Sequence, residues 1–248
     1  MKQIERQVIR KRAALIRKSR AVFASAIRDQ YQAVINALAM YPLDQVREHL
    51  SGIVKETPIQ LAFERTYMQA ADIGMMWRKY LLPPKKDGIE DMYRTHLVAN
   101  LKTFTKHKTA SRVVGITETT REYIAEVIDS GMVSGMSVAD MTSLIRDNYK
   151  ELTVARSKLI AQTEMITAAN EATFEAGRST GLETRKFWST SGLPNVRDSH
   201  LQAEADSNDS DGLMDDEVFS NGLLYPGDPA GDASEVCNCH CCLLIEIV

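Results

Sequence analysis

The feature that most constrains the fold of this chain is a change in the spacing of its apolar residues after Gly181. Before Gly181, apolar side chains recur at helical spacing. After it, two short segments rich in β-formers, residues 184–189 and 241–248, predict strands. Between these strands lie roughly fifty residues of little periodicity that are full of Asp, Ser, Asn, Gly and Pro. A loop of this length inside a compact domain is either disordered or held by something other than a hydrophobic core.

The helical part begins with two well-marked helices. Thr57, Pro58 and Gln60 form an N-cap, a first-turn proline and a capping-box partner, and they predict a helix that runs to about Leu82. Apolar residues of this helix spread around more than one face, which indicates burial on two sides. The first helix is marked by an apolar stripe, and Pro42 ends it. The stripe consists of Phe23, Ile27, Tyr31, Val34 and Leu38.

The remaining helices have weaker signals. Residues 83–88, two prolines and a polar link, are expected to separate the second helix from a third over residues 92–104. Further helix starts are predicted at Thr117, at the capping residue Ser137 and after Thr153. The fold class is therefore a mostly helical α+β protein. A helical region of residues 1–130 precedes a small α+β domain of residues 131–248 that contains a short antiparallel sheet and a long acidic loop.

The two ends of the chain carry opposite charges. Between Asn195 and Val248 the only base is Arg197, against twelve acids. The first twenty residues hold eight bases against the single acid Glu5, which predicts either a basic arm for an acidic partner or a solvated face. Several phosphates could be neutralised by such an arm, so nucleic-acid contacts are assigned to it. The assigned residues are Arg10, Lys11, Arg12, Arg17 and Lys18.

Cysteines are concentrated at one place, with all four between positions 237 and 242. In an extended strand Cys237, Cys239 and Cys241 share a face, where they are poorly placed for a relaxed disulfide but can converge on one ion. Zinc prefers thiolate and imidazole ligands, and His200 across the acidic loop is the natural partner. Asp198 either completes the shell or supports His200 by a hydrogen bond. The competing interpretation is that the cysteines are small buried hydrophobes.

Enzyme signatures are missing from the sequence. It has no phosphate loop, no G-x-S-x-G and no H-E-x-x-H motif. We therefore expect a protein without catalytic residues. The alternative is a metal-dependent hydrolase or nuclease built on His200 and the carboxylates of Asp198 and Glu164. No run of about eighteen apolar residues is present either, so we expect no membrane contact and a chain kept in the reducing cytoplasm.

Six pieces, in order, carry a resemblance to a known family. A helix "ARSKLIAQTE" at 155–164 precedes "KFW" at 186–188, "RDSH" at 197–200, "DG" at 211–212, "YPGDP" at 225–229 and "EVCNCHC" at 235–241. From Gly135 onward the chain resembles the Mu F-like head morphogenesis domain of phage minor head proteins. Gln162 and His240 depart from it, since each stands where the family has arginine.

The resemblance implies a structural protein of a tailed phage. Such a protein joins the portal vertex inside the capsid during head assembly in the host cytoplasm. The implied partners are the portal protein, the major capsid or scaffolding protein and packaged double-stranded DNA. The residues that match the family's structural motif are Arg156, Thr163, Glu164, Asn170, Trp188 and Arg197. Among them, we expect Glu164 to bond to Arg156, Arg197 or a loop amide, and Asn170 to hold a loop through its side-chain amide.

Overall fold

The computed structural model describes residues 1–82 and 89–248 and confirms the mostly helical α+β class. The predicted prolines and polar link at 83–88 lie outside the described residues. The elements are α1 (Lys2–Met40), α2 (Leu43–Glu48), α3 (Leu50–Ile53), α4 (Thr57–Leu81), α5 (Ile89–Lys108), α6 (Ala110–Val133), α7 (Val138–Arg178), β1 (Thr184–Ser189), α8 (Asp198–Asp209), α9 (Ala233–Val236) and β2 (Cys242–Ile247).

The centre of the molecule is a helical core formed by α1, α4 and α7, which pack on one another. As its sequence indicated, α4 is buried on more than one side, with Phe63 and Trp77 fully enclosed. Each such side chain contributes about 1.5–3 kcal/mol by leaving water. Gly74 permits the closest approach in α4, because a Cβ there would lie 2.6 Å from Leu97 Cδ2 and 2.8 Å from the Ala172 carbonyl oxygen.

Two helix starts inferred from threonines are wrong. Thr117 lies inside α6, where its hydroxyl donates to the Val113 carbonyl, and Thr153 lies inside the unbroken α7. Tertiary burial of both threonines overrides their local capping tendency. The start at Ser137 is confirmed, since its Oγ accepts a hydrogen bond from Asp140 N. In α4 the cap position is Glu56 rather than Thr57, so the predicted capping box does not form.

The sheet consists of the two predicted strands. β1 and β2 run antiparallel, with Thr184 opposite Ile247 and Ser189 opposite Cys242. One face, with Phe187 and Leu244, joins the helical core, while the other face, with Trp188, belongs to a second apolar cluster. The sheet therefore separates two layers of buried side chains.

The acidic segment does bury apolar residues, so the prediction that something other than a core must hold it was wrong. Residues 198–209 form α8, and side chains far apart in the chain gather around Trp188. Their spacing has no period, because each comes from a different turn or loop, and this is why the sequence showed no core there. The second cluster includes Ala203, Phe219, Leu223, Tyr225, Cys239 and Cys241.

The helical core contains residues from both sides of the predicted domain boundary between residues 130 and 131. α7, which lies beyond it, shares one core with α1 and α4, so the described residues show no break at that position. The first twenty residues likewise are no separate arm, because they form the start of α1 with Ile4, Val8 and Leu15 buried. None of the described helices combines the length and apolarity needed to cross a membrane.

Candidate metal centre

Three potential metal ligands meet in the second cluster. His200 Nδ1 lies 3.4 Å from Cys241 Sγ and 3.8 Å from Cys239 Sγ, and the three ligand atoms lie within 4.8 Å of one another. All three residues are buried, with at most 2% exposure. This group could hold a metal ion, as predicted from the same three residues. No fourth His, Cys, Asp or Glu joins it within residues 1–82 and 89–248.

Local backbone structure brings the ligands together. His200 lies in the first turn of α8, its ring 4.9 Å from that of Trp188. Cys241 immediately precedes β2, and Asn238 has a positive φ of 56° that turns the chain away from an extended path. Cys237 is therefore exposed instead of sharing a strand face with Cys239, and it lies outside the ligand group, contrary to prediction.

Glu235 supports the histidine. Its Oε2 lies 3.0 Å from His200 Nε2, and Ser199 Oγ donates to both carboxylate oxygens at 3.1 and 2.9 Å. A carboxylate on one ring nitrogen fixes the ring and leaves the other nitrogen for a metal. The prediction of this role for Asp198 was wrong, because Asp198 is exposed and outside the group. Glu235 belongs to the family-like "EVCNCHC" piece, which was the available signal.

The pKa values of the two buried thiols, Cys239 and Cys241, are shifted in opposite directions. A hydrogen bond from Cys241 and the neighbouring His200 lower the pKa of Cys239, against the effect of burial. Donating that bond raises the pKa of Cys241, and burial raises it as well. Cys239 is therefore the thiol of the pair that ionises more readily. Binding of a cation displaces the thiol protons and supplies the positive charge that two thiolates need.

Main-chain atoms around the ligands are held by residues from distant elements. Asn170 Nδ2 donates to the carbonyls of Pro226 and Cys241 at 2.7 and 3.2 Å, and its Oδ1 accepts from Leu243 N at 3.0 Å. This confirms the loop-holding role expected for Asn170. Thr163 Oγ1 accepts a hydrogen bond from Asn238 N at 3.0 Å.

Glu164 has other partners than the predicted ones. Its Oε2 accepts from Tyr67 OH at 3.1 Å and pairs with Arg112 Nη2 at 3.2 Å. Burial raises the pKa of this carboxyl, against the attraction of Arg112. The expected pairing with Arg156 or Arg197 was wrong, because packing directs those guanidinium groups elsewhere. Arg156 donates to Thr120 Oγ1 and the Ile116 carbonyl, and Arg197 to the Cys237 carbonyl.

The residues assigned to nucleic acid separate into two sets. Arg12 is buried, and its guanidinium donates to the carbonyls of His240 and Cys241 at 2.7 and 2.9 Å. Lys11 forms a salt bridge of 2.8 Å with Asp72. Assignment of Arg12 to a nucleic-acid contact was wrong, because the buried face of α1 carries it, whereas the Lys11 side chain stays partly exposed beside Asp72. Arg10, Arg17 and Lys18 remain exposed.

The two residues at which the sequence departs from the pattern that it resembles contact each other. Gln162 Nε2 lies 3.2 Å from His240 Nδ1. Lys186, the first residue of the "KFW" piece, is buried although its side chain ends in an amine. Its Nζ donates to the carbonyls of Asp215 and Leu224 at 3.0 and 3.1 Å. Desolvation lowers the pKa of Lys186 to about 8.

The buried carboxyl of Glu171 predicts that the stability of the protein depends on pH. Burial raises the pKa of Glu171 to about 7, and the neighbouring acids Glu175 and Asp228 add to the rise. Because the folded form holds its proton up to a higher pH than the unfolded form, this group's stabilising contribution is complete below about pH 4.5. It is lost as the pH rises to about 7.

Glu171→Gln is therefore expected to raise the free energy of unfolding at pH 8 by about 1–3 kcal/mol. The same substitution should flatten the dependence on pH between 4.5 and 7. Urea unfolding at a series of pH values measures both. Glu183→Gln, at an exposed position, is the control and should leave the profile unchanged. An identical profile in Glu171→Gln would contradict the prediction.

Comparison with known proteins finds a distant relative. The "Uncharacterized protein YqbB" of Bacillus subtilis (strain 168) is 25% identical over 126 residues, which are 50% of this chain. The match spans 41% of YqbB, less than half of its length. No protein-family model and no solved structure matches the chain.

Proposed function

We propose that this protein is a structural minor head protein of a tailed phage. It joins the portal vertex inside the capsid during assembly in the host cytoplasm, in contact with the portal protein and with the major capsid or scaffolding protein. The proposal starts from the six ordered pieces that resemble the Mu F-like head morphogenesis domain.

One observation carries the structural character of this proposal: four polar residues that match the resembled pattern bind main-chain atoms. Asn170 holds three such atoms, Lys186 holds two carbonyls, and Thr163 and Arg197 hold one atom each. All these contacts fall on residues 215–243, so distant parts of the sequence keep this segment in one conformation. The polar atoms of these side chains are used by the backbone and are not available to a substrate, so this arrangement favours a scaffold.

The proposed cofactor is zinc, held by His200, Cys239 and Cys241. Imidazole and thiolate are its preferred ligands, and the Glu235 carboxylate on the second ring nitrogen is typical of zinc-binding histidines. Burial of all three ligands favours a structural over a hydrolytic metal, because a substrate has to reach a catalytic one. The hydrolase alternative also needs Glu164 beside His200, whereas Glu164 bonds to Tyr67 and Arg112.

Mass spectrometry of purified virions and procapsids tests the head-protein proposal. We expect the protein in both, at low copy number, together with the portal. Asn170→Ala should reduce its incorporation several-fold because the 215–243 segment loses three hydrogen bonds, whereas Asn208→Ala, at an exposed position on α8, should not. Absence of the wild-type protein from both particles would refute the assignment.

A further inference from the structure

The outer face of α1 carries a continuous row of exposed bases. The row consists of six bases. At about 100° per residue, they project within roughly 80° of arc around the helix. We call this row the basic stripe. It extends over about 39 Å at 1.5 Å per residue. Its members are Lys2, Arg6, Arg10, Arg17, Arg20 and Arg28.

The charges of the basic stripe are not neutralised by the protein itself. In the part of the chain that the structure describes, residues 1–82 and 89–248, no carboxylate forms a salt bridge with any of the six. Glu5 accepts a hydrogen bond from Ser189 Oγ, and Asp29 projects about 100° around the helix from Arg28. Other bases of the same helix, Lys11 and Arg12, are by contrast fully engaged. The stripe is therefore free to meet an external polyanion.

The helix under the stripe is held in place by its opposite face. Val8, Leu15 and Phe23 are buried in the helical core, and Arg12 ties the same face to the carbonyls before β2. The Cα positions of the six bases therefore keep a fixed spacing, although their side chains are free to rotate. Bases on such a helix lose less backbone entropy on binding than bases on a disordered segment would.

Duplex DNA fits this array better than other polyanions do. Five of the six bases are arginines, whose planar guanidinium binds phosphate oxygens in pairs. Gaps of about 10 and 12 Å between Arg10 and Arg17 and between Arg20 and Arg28 are comparable with the width of the major groove, about 12 Å. The whole stripe exceeds one duplex turn of about 34 Å. Small residues Ala13 and Ala24 lie between the bases and leave room for a phosphate backbone.

Single strands and membranes fit less well. Binding of single strands relies on aromatic side chains that stack on bases, and the stripe has none. A helix that lies in a membrane surface inserts its apolar face, but the apolar face of α1 is already buried in the core.

We propose that the basic stripe binds the phosphate backbone of duplex DNA without reading its sequence. The proposal rests on the charges and geometry of α1 alone, so it holds or fails independently of the head-protein proposal. In chemical terms each stripe base displaces one counterion from the DNA, which makes affinity fall steeply with salt.

The test uses the full chain and a short fluorescent duplex of mixed sequence, titrated at several salt concentrations. A stripe variant, Arg6→Gln/Arg10→Gln/Arg17→Gln, is compared with a control that loses the same charge elsewhere, Lys102→Gln/Lys106→Gln/Arg146→Gln, all at exposed positions. We expect the stripe variant to lose at least about tenfold in affinity at moderate salt. Its slope of log K against log salt should become shallower by about 2–3, whereas the control should change little.

Circular dichroism and thermal melting establish that both variants fold, which we expect because all the altered side chains are exposed. Equal affinity and slope in the stripe and control variants would overturn the proposal. So would tighter binding of the wild-type protein to single strands of the same length, or to phosphatidylserine vesicles in the absence of DNA binding. A shuffled duplex of equal composition should bind as tightly as the first.

Discussion

His200→Ala should release the proposed zinc and lower the melting temperature by about 10 °C or more, because metal binding adds directly to the free energy of folding. Wild-type protein purified without chelator should contain about one zinc per chain, since all three ligands belong to one group. Elemental analysis and thermal melting with and without a chelator measure these two quantities. Loss of metal and loss of stability should coincide, because the ligands join α8 to the segment that precedes β2.

Further variants distinguish the residues that bind the metal from nearby residues that do not. Cys239→Ser should behave like His200→Ala, whereas Cys237→Ser should keep both metal and stability because Cys237 is exposed and outside the group. Glu235→Gln should keep the fold and weaken zinc affinity by about 10–100-fold, because the carboxylate that orients the ring is lost. The metal content is readable in each variant that folds, so a failure of His200→Ala to fold does not block the test.

Two results would overturn the metal assignment. One is wild-type protein without metal whose melting is unchanged by chelator, which would make the cysteines simply packed side chains. The other is full retention of metal in both Cys239→Ser and His200→Ala. His240→Ala should retain the metal, because the His240 ring contacts Gln162.

The second large effect concerns the ion pair of the buried Glu164 and the partly buried Arg112. Arg112→Met should lower the free energy of unfolding by about 3–5 kcal/mol, because it leaves the Glu164 carboxylate in the interior without its counterion. The double substitution Arg112→Met/Glu164→Gln should recover much of this loss, since no uncompensated charge remains. The amide oxygen introduced by Glu164→Gln can still accept a hydrogen bond from Tyr67 OH, so this hydroxyl keeps a partner.

Denaturant unfolding of the four proteins in this cycle measures the coupling between the two residues. The control is Arg47→Met, which removes the exposed salt bridge to Asp129 and should cost less than about 1 kcal/mol. Equal losses in Arg112→Met and Arg47→Met, or no recovery in the double variant, would contradict the prediction.

Local features were readable because they depend on neighbours in the chain. The β1 bounds at Thr184–Ser189, the end of α1 before Pro42 and the cap at Ser137 follow from periodicity, a missing amide hydrogen and one short-range hydrogen bond. The group of His200, Cys239 and Cys241 was also predictable. Few residue types bind soft metals, and this chain concentrates its thiols at one place.

Pairings between distant residues required the tertiary structure. Glu235 rather than Asp198 supports His200 across 35 positions, and Arg12 reaches the Cys241 carbonyl across 229. In the same way, helical geometry predicts the angular position of each base around α1. Only packing revealed that Arg12 is buried, that Lys11 pairs with Asp72 and that the basic stripe forms no salt bridge within the described residues. Local sequence patterns were enough to predict α1, α4, both strands and the ligand types, because side-chain periodicity, helix-ending residues and ligand chemistry are all properties of short segments. The tertiary structure determines which charges are buried, paired or exposed, because burial depends on which surfaces pack against each other and exclude water.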